Sequence, residues 1–395
     1  PKGTILKPPG YDGNTGYLSV PRAGSPKVPA KPTQVDARRA LADLAEVFVD
    51  FPYSDTGRVV PIAAILTLLA RPALGAANVP AFVFDANVRG SGKGLQANAV
   101  CIVATGRPAA KATYPVGGNP EELEKILGAF ALRGASVIVF DNVTGTFGGG
   151  PLEKVLTSDG RVTLRVLGQS HQPELHWRAT ILATGNNLEI IGDATRRVLV
   201  GRIDSPEENP ERRQNFAHHP LLPWVDANRP RLVVAALTML RAWALAGRPR
   251  CDVRTWGSFE EWAAMVPPAI VWAGGADVMG CRVDEDEDDT SKRALITILN
   301  DWPRLTGPEG MTAKAAVDAL YPVARLRGEA LPDSYDDLRE AIGLLVPTLA
   351  GKAPNYVRLG YVLRGFRGRV VGGKRLKSEG QKRGASLWSV VEVQR

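Results

Sequence analysis

The fold of this chain is decided by residues 82–94, whose sequence is FVFDANVRGSGKG. A hydrophobic run, a glycine-rich loop and a helical stretch follow one another here, which predicts a strand, a loop and a helix. The backbone N–H groups of such a loop and of the helix start bind phosphate, and a lysine among them neutralises the outer phosphate charges. A glycine-rich turn without a ligand has the same composition, so the loop alone leaves both interpretations open. The candidate phosphate contacts are Arg89, Gly90, Ser91, Gly92, Lys93 and Gly94.

The loop departs from the usual phosphate-binding pattern at two positions. Asn87 stands where the first glycine is expected, and Gly94 stands where a serine or threonine normally follows the lysine. That hydroxyl usually ligates Mg²⁺. We therefore expect weaker placement of a metal at this loop, unless water takes the position of the hydroxyl.

A second buried strand is predicted at residues 137–140, and it ends in Asp141 and Asn142. An acid at this place is typical of a Walker B motif, in which the carboxylate holds the hydration shell of Mg²⁺. Asp141 is therefore the candidate metal residue, acting through water, and Asn142 is the candidate for orienting the attacking water. A glutamate is commoner at the second position. A strand that ends in a turn-forming Asp-Asn pair is the alternative interpretation.

A third apolar strand, residues 181–184, is followed after one glycine by Asn186 and Asn187. It resembles the sensor-1 motif, in which an asparagine on a strand between the first two reaches the terminal phosphate or its water, and Asn186 is preferred for this role. Further on, Arg196 and Arg197 end a predicted helix, and arginines at this spacing in ring ATPases reach the neighbouring subunit's site. Solvated surface arginines are the alternative. The four features in this order together predict an ATP site.

Short apolar runs alternate with helical stretches through the first half of the chain, which is typical of an α/β fold. Each run is apolar throughout and ends at a polar or glycine-rich turn, as buried parallel strands do. Asn119 is the predicted cap of the last helix in this region. Strands are predicted at residues 81–84, 136–140 and 179–183, and helices at 36–49, 60–70, 94–104 and 120–132.

The net charge of +8 is concentrated at one end of the chain. Residues 351–395 contain 11 Lys or Arg against two acids, whereas the rest is nearly neutral. A basic end on a neutral body is typical of a chain that docks a polyanion, and a solubilising tail is the alternative. The candidates for DNA contact are Arg358, Arg364, Arg367, Arg369, Lys374, Arg375, Lys377, Lys382 and Arg383. The nearby Tyr356, Tyr361 and Phe366 are assigned to packing.

The second half of the chain is predicted to be mainly helical up to a basic pair of strands at its end. An acidic run at residues 284–289 predicts a domain boundary. Helices followed by a two-stranded ribbon predict a winged helix. Helices are predicted within 229–275 and at 294–301, 312–320, 335–345 and 355–364. The predicted domains are an arm or linker at 1–35, a P-loop ATPase domain at 36–228, a helical lid with an acidic linker at 229–290, and a winged-helix DNA-binding domain at 291–395.

Composition excludes several other classes of protein. Three distant cysteines exclude a disulfide framework and a paired-cysteine metal site, which fits a reducing cytoplasm. No apolar run reaches the roughly 20 residues that a bilayer demands, and no cleavable leader opens the chain. We therefore expect a soluble cytoplasmic protein without a membrane partner. Because the first residue is Pro1, we also expect a fragment of a longer polypeptide.

Taken together, these motifs resemble a family of phage, plasmid and integrated-element proteins often described as primase/helicase-like. Its AAA+ motor belongs with the viral replicative helicases. Gly94 departs from the serine or threonine usual in this family, which concerns the rate of hydrolysis more than the fold. The resemblance runs along the whole chain and is carried by residues 89–93, 140–142, 165–168, 183–187 and 196–197, Asp204, residues 208–210 and Arg213.

The resemblance implies an AAA+ P-loop domain with a parallel sheet flanked by helices, a helical segment and a C-terminal winged-helix domain. It also implies a hexameric ring with ATP and Mg²⁺ between subunits, single-stranded DNA in the channel, duplex DNA on the winged helix, and a primase or other replication proteins as possible partners. In viral relatives a basic hairpin before the sensor-1 strand enters the channel, and residues 161–177 fit it. Its candidate DNA contacts are Lys154, Arg161, Arg165 and His171.

Three functions remain open from the sequence. The first is ATP-driven translocation or unwinding of DNA in replication of a phage or mobile genetic element. The second is an ATP-binding ring that loads or tethers replication partners at an origin with little hydrolysis, which Gly94 and Asn142 favour. The third is a DNA-binding regulator with a vestigial ATPase domain.

Overall fold

The structure is a computed structural model of the chain, and it divides into two compact units, Pro1–Val283 and Asp284–Arg395. Each unit has its own hydrophobic core. The residues that the structure describes are 3–5, 10–13, 17–20, 27–53, 56–108, 110–115, 119–165, 173–207, 210–283, 290–307, 309–322, 335–348, 352–368, 370–382 and 385–392.

The first unit contains eleven strands within the described residues. They are β1 (Gly10–Asp12), β2 (Tyr17–Ser19), β3 (Ala81–Ala86), β4 (Lys111–Ala112), β5 (Val137–Val143), β6 (Thr146–Phe147), β7 (Arg161–Thr163), β8 (Glu174–His176), β9 (Thr180–Gly185), β10 (Glu189–Ile190) and β11 (Val198–Ile203). Its helices in the same residues are α1 (Gln34–Glu46), α2 (Val59–Leu74), α3 (Lys93–Thr105), α4 (Pro120–Leu132), α5 (Gly150–Leu156), α6 (Leu221–Leu245), α7 (Glu260–Ala263) and α8 (Val266–Trp272). In the described parts of both units, no helix combines the length and the apolar character needed to cross a bilayer.

A five-stranded parallel sheet forms the centre of the first unit, in the order β11-β3-β9-β5-β4. The predicted α/β fold, a parallel sheet flanked by helices, is therefore confirmed. Strand β9 lies between β3 and β5, which is the position expected for the sensor strand. Since all five strands run the same way, their carboxyl ends meet at one edge of the sheet, where ligands bind in open α/β folds.

The two faces of the sheet carry separate cores because successive side chains of a strand point to opposite faces. Phe82 and Phe84 of β3 pack in a core with apolar side chains of α1, α2, α3 and α6. Ala81 and Val83 pack on the other face with side chains of α4 and α5. This two-sided burial explains why the central strands are apolar at every position instead of alternating.

The predicted elements of this unit are present with small shifts of their ends. Helix α4 spans the residues predicted for it, and the Asn119 side chain caps it by accepting from the N–H groups of Glu121 and Glu122. Strands β4 and β11 were missed, because β4 has two residues and Arg202 interrupts the apolar run of β11. Within the predicted arm at residues 1–35, β1 and β2 form a short antiparallel pair.

The second unit combines helices with an antiparallel sheet. The described helices are α9 (Thr290–Thr306), α10 (Ala313–Leu320), α11 (Asp336–Leu345) and α12 (Tyr356–Phe366), and the strands are β12 (Met311–Thr312), β13 (Val370–Val371), β14 (Lys374–Lys382) and β15 (Ala385–Glu392). The sheet order is β12-β15-β14-β13, and the predicted ribbon is the pair β14 and β15. Trp302 joins helix and sheet, because its Nε1 donates to the carbonyl oxygen of Trp388 at 2.9 Å. The winged-helix assignment stays a prediction, and the acidic run at residues 284–289 lies outside the described residues.

Candidate nucleotide-binding site

The loop between β3 and α3 requires glycine at two positions. Gly90 and Gly92 have φ angles of 77° and 86°, in the left-handed region that side chains other than glycine rarely adopt. A Cβ atom on Gly92 would also lie 2.8 Å from Cε1 of Phe51. Gly92 directly precedes α3, so the unpaired N–H groups at the start of that helix border the loop. The local geometry is that of an anion cradle.

Lys93 begins α3 and is almost fully buried. Its Nζ donates to Oδ1 of Asn186 at 2.6 Å and to the carbonyl oxygen of Val88 at 3.3 Å. Burial lowers the pKa of Lys93, and the nearby carboxylate of Asp85 opposes this effect. The structure thus brings together Lys93 and Asn186, which the sequence assigned to one site. The two residues follow the neighbouring strands β3 and β9.

Asp141 lies near the carboxyl end of β5 and is held by a threonine that the sequence analysis did not single out. The hydroxyl of Thr184 donates to Oδ1 of Asp141 at 2.9 Å and accepts from the backbone N–H of Asn142 at 2.8 Å. Thr184 precedes Gly185 in β9, so it lies near the end of the strand that the predicted sensor asparagine follows. Its only signal in the sequence is a polar residue that ends a buried apolar run.

Lys111 is the second partner of Asp141, and it was also missed. It lies in β4, the edge strand beside β5, and its Nζ is 2.5 Å from Oδ2 of Asp141. Burial pushes the pKa of Asp141 upwards, but hydrogen bonds from Lys111 and Thr184 outweigh it and hold the pKa below its usual value. Asp141 is therefore charged at neutral pH, with both carboxylate oxygens occupied by protein donors.

Asn142 lies at an irregularity of β5, where the register with β9 shifts between Phe140 and Val143. Its φ angle of 53° lies in the left-handed region, which asparagine tolerates better than most residues. The residue is exposed beside Asp141. Its predicted action on water stays a prediction.

The remaining loop residues, Ser91, Arg89 and Asn87, differ in burial and in their hydrogen-bond partners. Ser91 is buried, and its Oγ donates to the carbonyl oxygen of Val88 at 2.5 Å, so this hydroxyl holds the turn together. Arg89 is exposed. Asn87, where the pattern expects glycine, joins the loop to the segment after β11, because its side chain donates to Ser205 O at 2.9 Å and accepts from Ser205 N at 3.0 Å.

Asn187 belongs to a separate network beneath the loop. Its Nδ2 donates to the carbonyl oxygen of Asn87 at 3.2 Å, and its Oδ1 accepts from Arg202 at 2.9 Å. Arg202 also contacts the buried carboxylate of Asp85 at 2.6 Å. Of the two adjacent asparagines, Asn186 is therefore the one whose side chain contacts Lys93.

The donor set of the site fits Mg²⁺ only in part. Asp141 can hold a hydrated Mg²⁺ that also contacts nucleotide phosphates, since Mg²⁺ is commonly bound by one or two carboxylates, water and phosphate. A Cβ atom on Gly94 would lie 3.8 Å from Oδ1 of Asp141 and 3.9 Å from Nζ of Lys111, so this position faces the metal residue but supplies no oxygen. Within the described ranges, no group of three His, Cys, Asp or Glu side chains could hold a metal ion.

Arg196 and Arg197 lie at the opposite edge of the sheet from Lys93. They precede β11, whose first residue Val198 pairs with Ala81 at the start of β3. The length of β3 separates them from the loop by roughly 20 Å at about 3.3 Å per residue. Both arginines contact Asp193, at 2.8 Å from Arg196 and 3.1 Å from Arg197. They are therefore distant from the phosphate loop of the same chain.

The predicted hairpin before the sensor strand is present as the antiparallel pair β7 and β8. Arg161 forms an exposed ion pair with Glu174 at 2.8 Å. Lys154 donates to the carbonyl oxygen of Thr163, and the backbone N–H of Arg165 donates to Oε1 of Glu124 at 3.3 Å. His171 lies outside the described residues, as do residues 166–170.

The candidate DNA contacts of the second unit lie on α12 and β14. Arg358, Arg364 and Arg367 are exposed on or just after α12. On β14, Arg375 is exposed, Lys377 is half-buried, and Lys374 donates to Oδ1 of Asn300 at 3.0 Å. Arg369, Arg383 and the side chain of Lys382 lie outside the described part of the chain.

The assignment to packing is wrong for Tyr356 and Tyr361 and is confirmed for Phe366. Tyr356 and Tyr361 are 46% and 65% exposed, whereas Phe366 packs against the core of the second unit. Helix α12 buries Leu359 and Leu363, four residues apart, which turns Tyr361 towards solvent. Arg364 lies over the Tyr361 ring at 5.4 Å.

Comparisons with known proteins give low similarity throughout. The chain matches no protein-family model and no curated protein. Among solved structures, it is similar to the apo C-terminal region of NrS-1, with 11% identity, a TM-score of 0.43, and coverage of 96% of this chain and 80% of that chain. It is also similar to the active helicase Cch of SCCmec type IV, with 12% identity, a TM-score of 0.33, and coverage of 93% and 72%. The JCV helicase gives 14% identity, a TM-score of 0.23, and coverage of 67% and 72%. Likeness at this level does not assign a function.

Proposed function

We propose that this chain is an ATP-driven DNA helicase or translocase that assembles as a ring and acts in replication of a phage or mobile genetic element. The observation that carries the proposal is the meeting of Lys93, Asn186 and Asp141 at the carboxyl ends of three adjacent parallel strands. Three separate stretches of sequence contribute these side chains, so a structural turn at residues 87–92 does not explain their convergence.

The site suits a nucleoside triphosphate because Lys93 lies at the start of α3, directly after the glycine-rich loop. Lys93 donates only to neutral oxygens in the contacts described above, so its charge is available to a phosphate. Asn186 beside it suits the terminal phosphate or the attacking water. When bound, Mg²⁺ would neutralise charge between the outer phosphates, and Asp141 would hold it through water.

The position of the two arginines supports the proposed ring. Arg196 and Arg197 lie at the edge of the sheet away from Lys93, so they cannot complete the site of their own subunit. In a ring, this edge can face the nucleotide site of a neighbour and supply an arginine to the transferred phosphoryl group. Arg197 is the more buried of the two, and it also donates to the carbonyl oxygen of Glu153 at 2.7 Å.

Contacts with DNA are proposed at two surfaces, each of which carries exposed, positively charged side chains. In the first unit, the hairpin of β7 and β8 carries Arg161 and lies close to Lys154. In the second unit, α12 and β14 present a row of exposed cations. Such side chains neutralise backbone phosphates without reading bases, so single-stranded DNA at the hairpin and duplex DNA at α12 are expected without strong sequence preference.

A second candidate function is an ATP-binding ring that tethers or loads partners with little hydrolysis. It is favoured by two positions of the site. Gly94 offers no hydroxyl to a metal, and Asn142, an amide that cannot act as a base, follows Asp141 where a glutamate is commoner. Under this candidate, nucleotide binding assembles the ring, and turnover stays low with or without DNA.

The deciding experiment measures ATP hydrolysis with and without single-stranded DNA for the wild type, Lys93→Ala and Gly94→Thr. We expect the wild type to turn over ATP faster with DNA, Lys93→Ala to lose nucleotide binding, and Gly94→Thr to hydrolyse faster than wild type. ATP turnover in Gly94→Thr but not in the wild type would favour the ATP-binding ring that tethers or loads partners. A wild type that binds no fluorescent nucleotide, yet binds DNA tightly, would overturn the proposal in favour of a regulator with a vestigial ATPase domain.

A further inference from the structure

Lys111 places a second lysine ammonium in the candidate site, from an edge strand of only two residues. Its Nζ is 2.5 Å from Oδ2 of Asp141, and its side chain is 45% exposed. Partly exposed ion pairs of this kind contribute little to stability, so little free energy holds the ammonium in place. The side chain can therefore exchange Asp141 for a stronger anion without any movement of the sheet.

The position of this ammonium coincides with the place where the loop departs from the usual pattern. A Cβ atom on Gly94 would lie 3.9 Å from Nζ of Lys111 and 3.8 Å from Oδ1 of Asp141. A serine or threonine side chain at position 94 would therefore point at both groups. The site lacks the hydroxyl that would help to hold a metal ion, and it has a protein cation in the same space.

The charged groups of the site indicate which kind of ligand the Lys111 ammonium would bind. Lys93 and the N-terminal N–H groups of α3 border the loop, and Nζ of Lys111 lies 3.9 Å from the position of a Cβ atom on Gly94. Asp141 is the carboxylate nearest to Gly94, and without a ligand it is neutralised by Lys111. A nucleoside triphosphate carries several negative charges on its outer phosphates, and lysine is a common partner of phosphate as a point charge.

We propose that Lys111 is a nucleotide-binding residue whose ammonium transfers from Asp141 to the outer phosphates and takes over part of the charge neutralisation that a hydroxyl-held Mg²⁺ supplies at other P-loops. The inference rests on the proposed function, because it concerns the same site. Its first consequence is that nucleotide binding tolerates removal of Mg²⁺. Its second consequence is that departure of Lys111 frees Oδ2 of Asp141, so phosphate binding prepares the carboxylate for a hydrated metal ion.

The test measures the affinity of the full chain for a fluorescent ATP analogue, in Mg²⁺ and in excess EDTA. The variants are Lys111→Ala, Lys111→Gln and Lys111→Arg, with Lys125→Ala as the matched control. Lys125 forms a similar lysine-carboxylate pair with Glu122 at 2.6 Å, on α4 and away from the loop. Because the Lys111 side chain is half exposed, thermal melting of its variants should match that of the wild type.

We expect the wild type and Lys125→Ala to lose less than about threefold in affinity when Mg²⁺ is removed, whereas Lys111→Ala and Lys111→Gln lose about tenfold or more, or about 1.4 kcal/mol. Lys111→Arg, which keeps the cation, should behave like the wild type. Equal affinities of Lys111→Ala and wild type in EDTA would show that Lys111 only holds Asp141, and the inference would be overturned. Binding by the wild type in Mg²⁺ but not in EDTA would also overturn it, while leaving the proposed function intact. Absence of binding in both buffers would instead contradict the proposed function.

A double variant tests whether Gly94 and Lys111 compensate for one another. In Lys111→Ala, adding Gly94→Thr places a hydroxyl towards Asp141, as in the usual pattern. We expect Mg²⁺ to raise nucleotide affinity more in the double variant than in Lys111→Ala alone. The same response to Mg²⁺ in both variants would mean that the two positions act independently, against the inference.

Discussion

At the scale of single residues, the ion pair between Asp85 and Arg202 contains the most buried carboxylate among the described pairs near the glycine-rich loop. Asp85 is buried at the end of β3, and Arg202 on the neighbouring strand β11 contacts it at 2.6 Å. Burial raises the pKa of Asp85, while the N–H of Leu188 and the charge of Arg202 act in the opposite direction. The N–H of Leu188 and the guanidinium of Arg202 therefore both favour the charged carboxylate against the effect of burial.

We predict that Arg202→Ala lowers the free energy of unfolding by about 1–3 kcal/mol at pH 7, because a buried carboxylate loses its charged partner. This loss in the free energy of unfolding is smaller than that expected for a fully buried ion pair, since the Arg202 side chain is 40% exposed. Without Arg202 the folded pKa of Asp85 rises further above the unfolded value. The destabilisation should therefore be largest above the folded pKa of the variant and shrink as the pH falls below the folded pKa of the wild type, where Asp85 is protonated in both folded proteins.

Urea unfolding of wild type and variant at pH 7 and near pH 4 checks this prediction. The control is Arg161→Ala, which removes an exposed arginine from its pair with Glu174 and should change stability by less than about 0.5 kcal/mol. A loss that is equally large at both pH values would argue against Asp85 as its source.

At the scale of elements, the hairpin of β7 and β8 carries a candidate DNA contact, Arg161, and a carboxylate, Glu174, that can compete with DNA for it. Arg161 lies opposite His176 in the register, and its guanidinium pairs with Glu174 two residues away on β8. Both side chains are exposed, so the pair is screened by salt and easily broken. DNA phosphate and Glu174 would therefore compete for the same guanidinium.

We predict opposite effects of two substitutions in this hairpin on single-stranded DNA binding. Arg161→Ala should weaken binding and reduce the slope of log affinity against log salt by about 0.7, the value for one lost phosphate contact. Glu174→Gln should strengthen binding at low salt, because it removes the competitor and a negative charge. Titrations at several salt concentrations measure both effects. Weaker binding in Glu174→Gln would contradict the competition.

At the scale of the whole molecule, charge is divided between the two units. Residues 351–395 hold the positive excess, and Arg358, Arg364 and Arg367 are exposed along α12. Tyr361 lies on the exposed side of the same helix, so this surface is amphipathic as well as basic. Polyelectrolyte attraction should therefore dominate duplex binding by the second unit.

We predict that replacing Arg358, Arg364 and Arg367 together by Gln weakens duplex DNA binding at low salt and reduces the log-log salt slope by roughly 2–3, with about 0.9 for each phosphate contact. Hydrolysis of ATP without DNA should be unchanged, since none of the three lies in the nucleotide site. Exposed cations of the first unit, Arg38 and Arg133, serve as the control pair when replaced by Gln. An unchanged slope would exclude α12 as a DNA-binding surface.

The predictable part of the site consists of side chains that follow strong local patterns. Lys93 comes after a glycine-rich loop, and Asp141 and Asn186 come after runs of apolar residues long enough to identify as buried strands. Parallel strands bring their carboxyl ends to one edge, so these three residues could be expected to meet. Lys111 could not be found in this way, because a strand of two residues has no periodicity.

The sequence by itself determined the α/β class, the central strands and the glycine-rich loop, since each depends on the apolar pattern or the backbone freedom of contiguous residues. Only the tertiary structure decided that Lys111 and Thr184 occupy both oxygens of Asp141, that Arg202 neutralises Asp85, and that Tyr361 faces solvent. These outcomes depend on which strands become neighbours and on which side of α12 is buried. Contacts between residues far apart in the chain are set by packing of the whole core, and no local pattern encodes them.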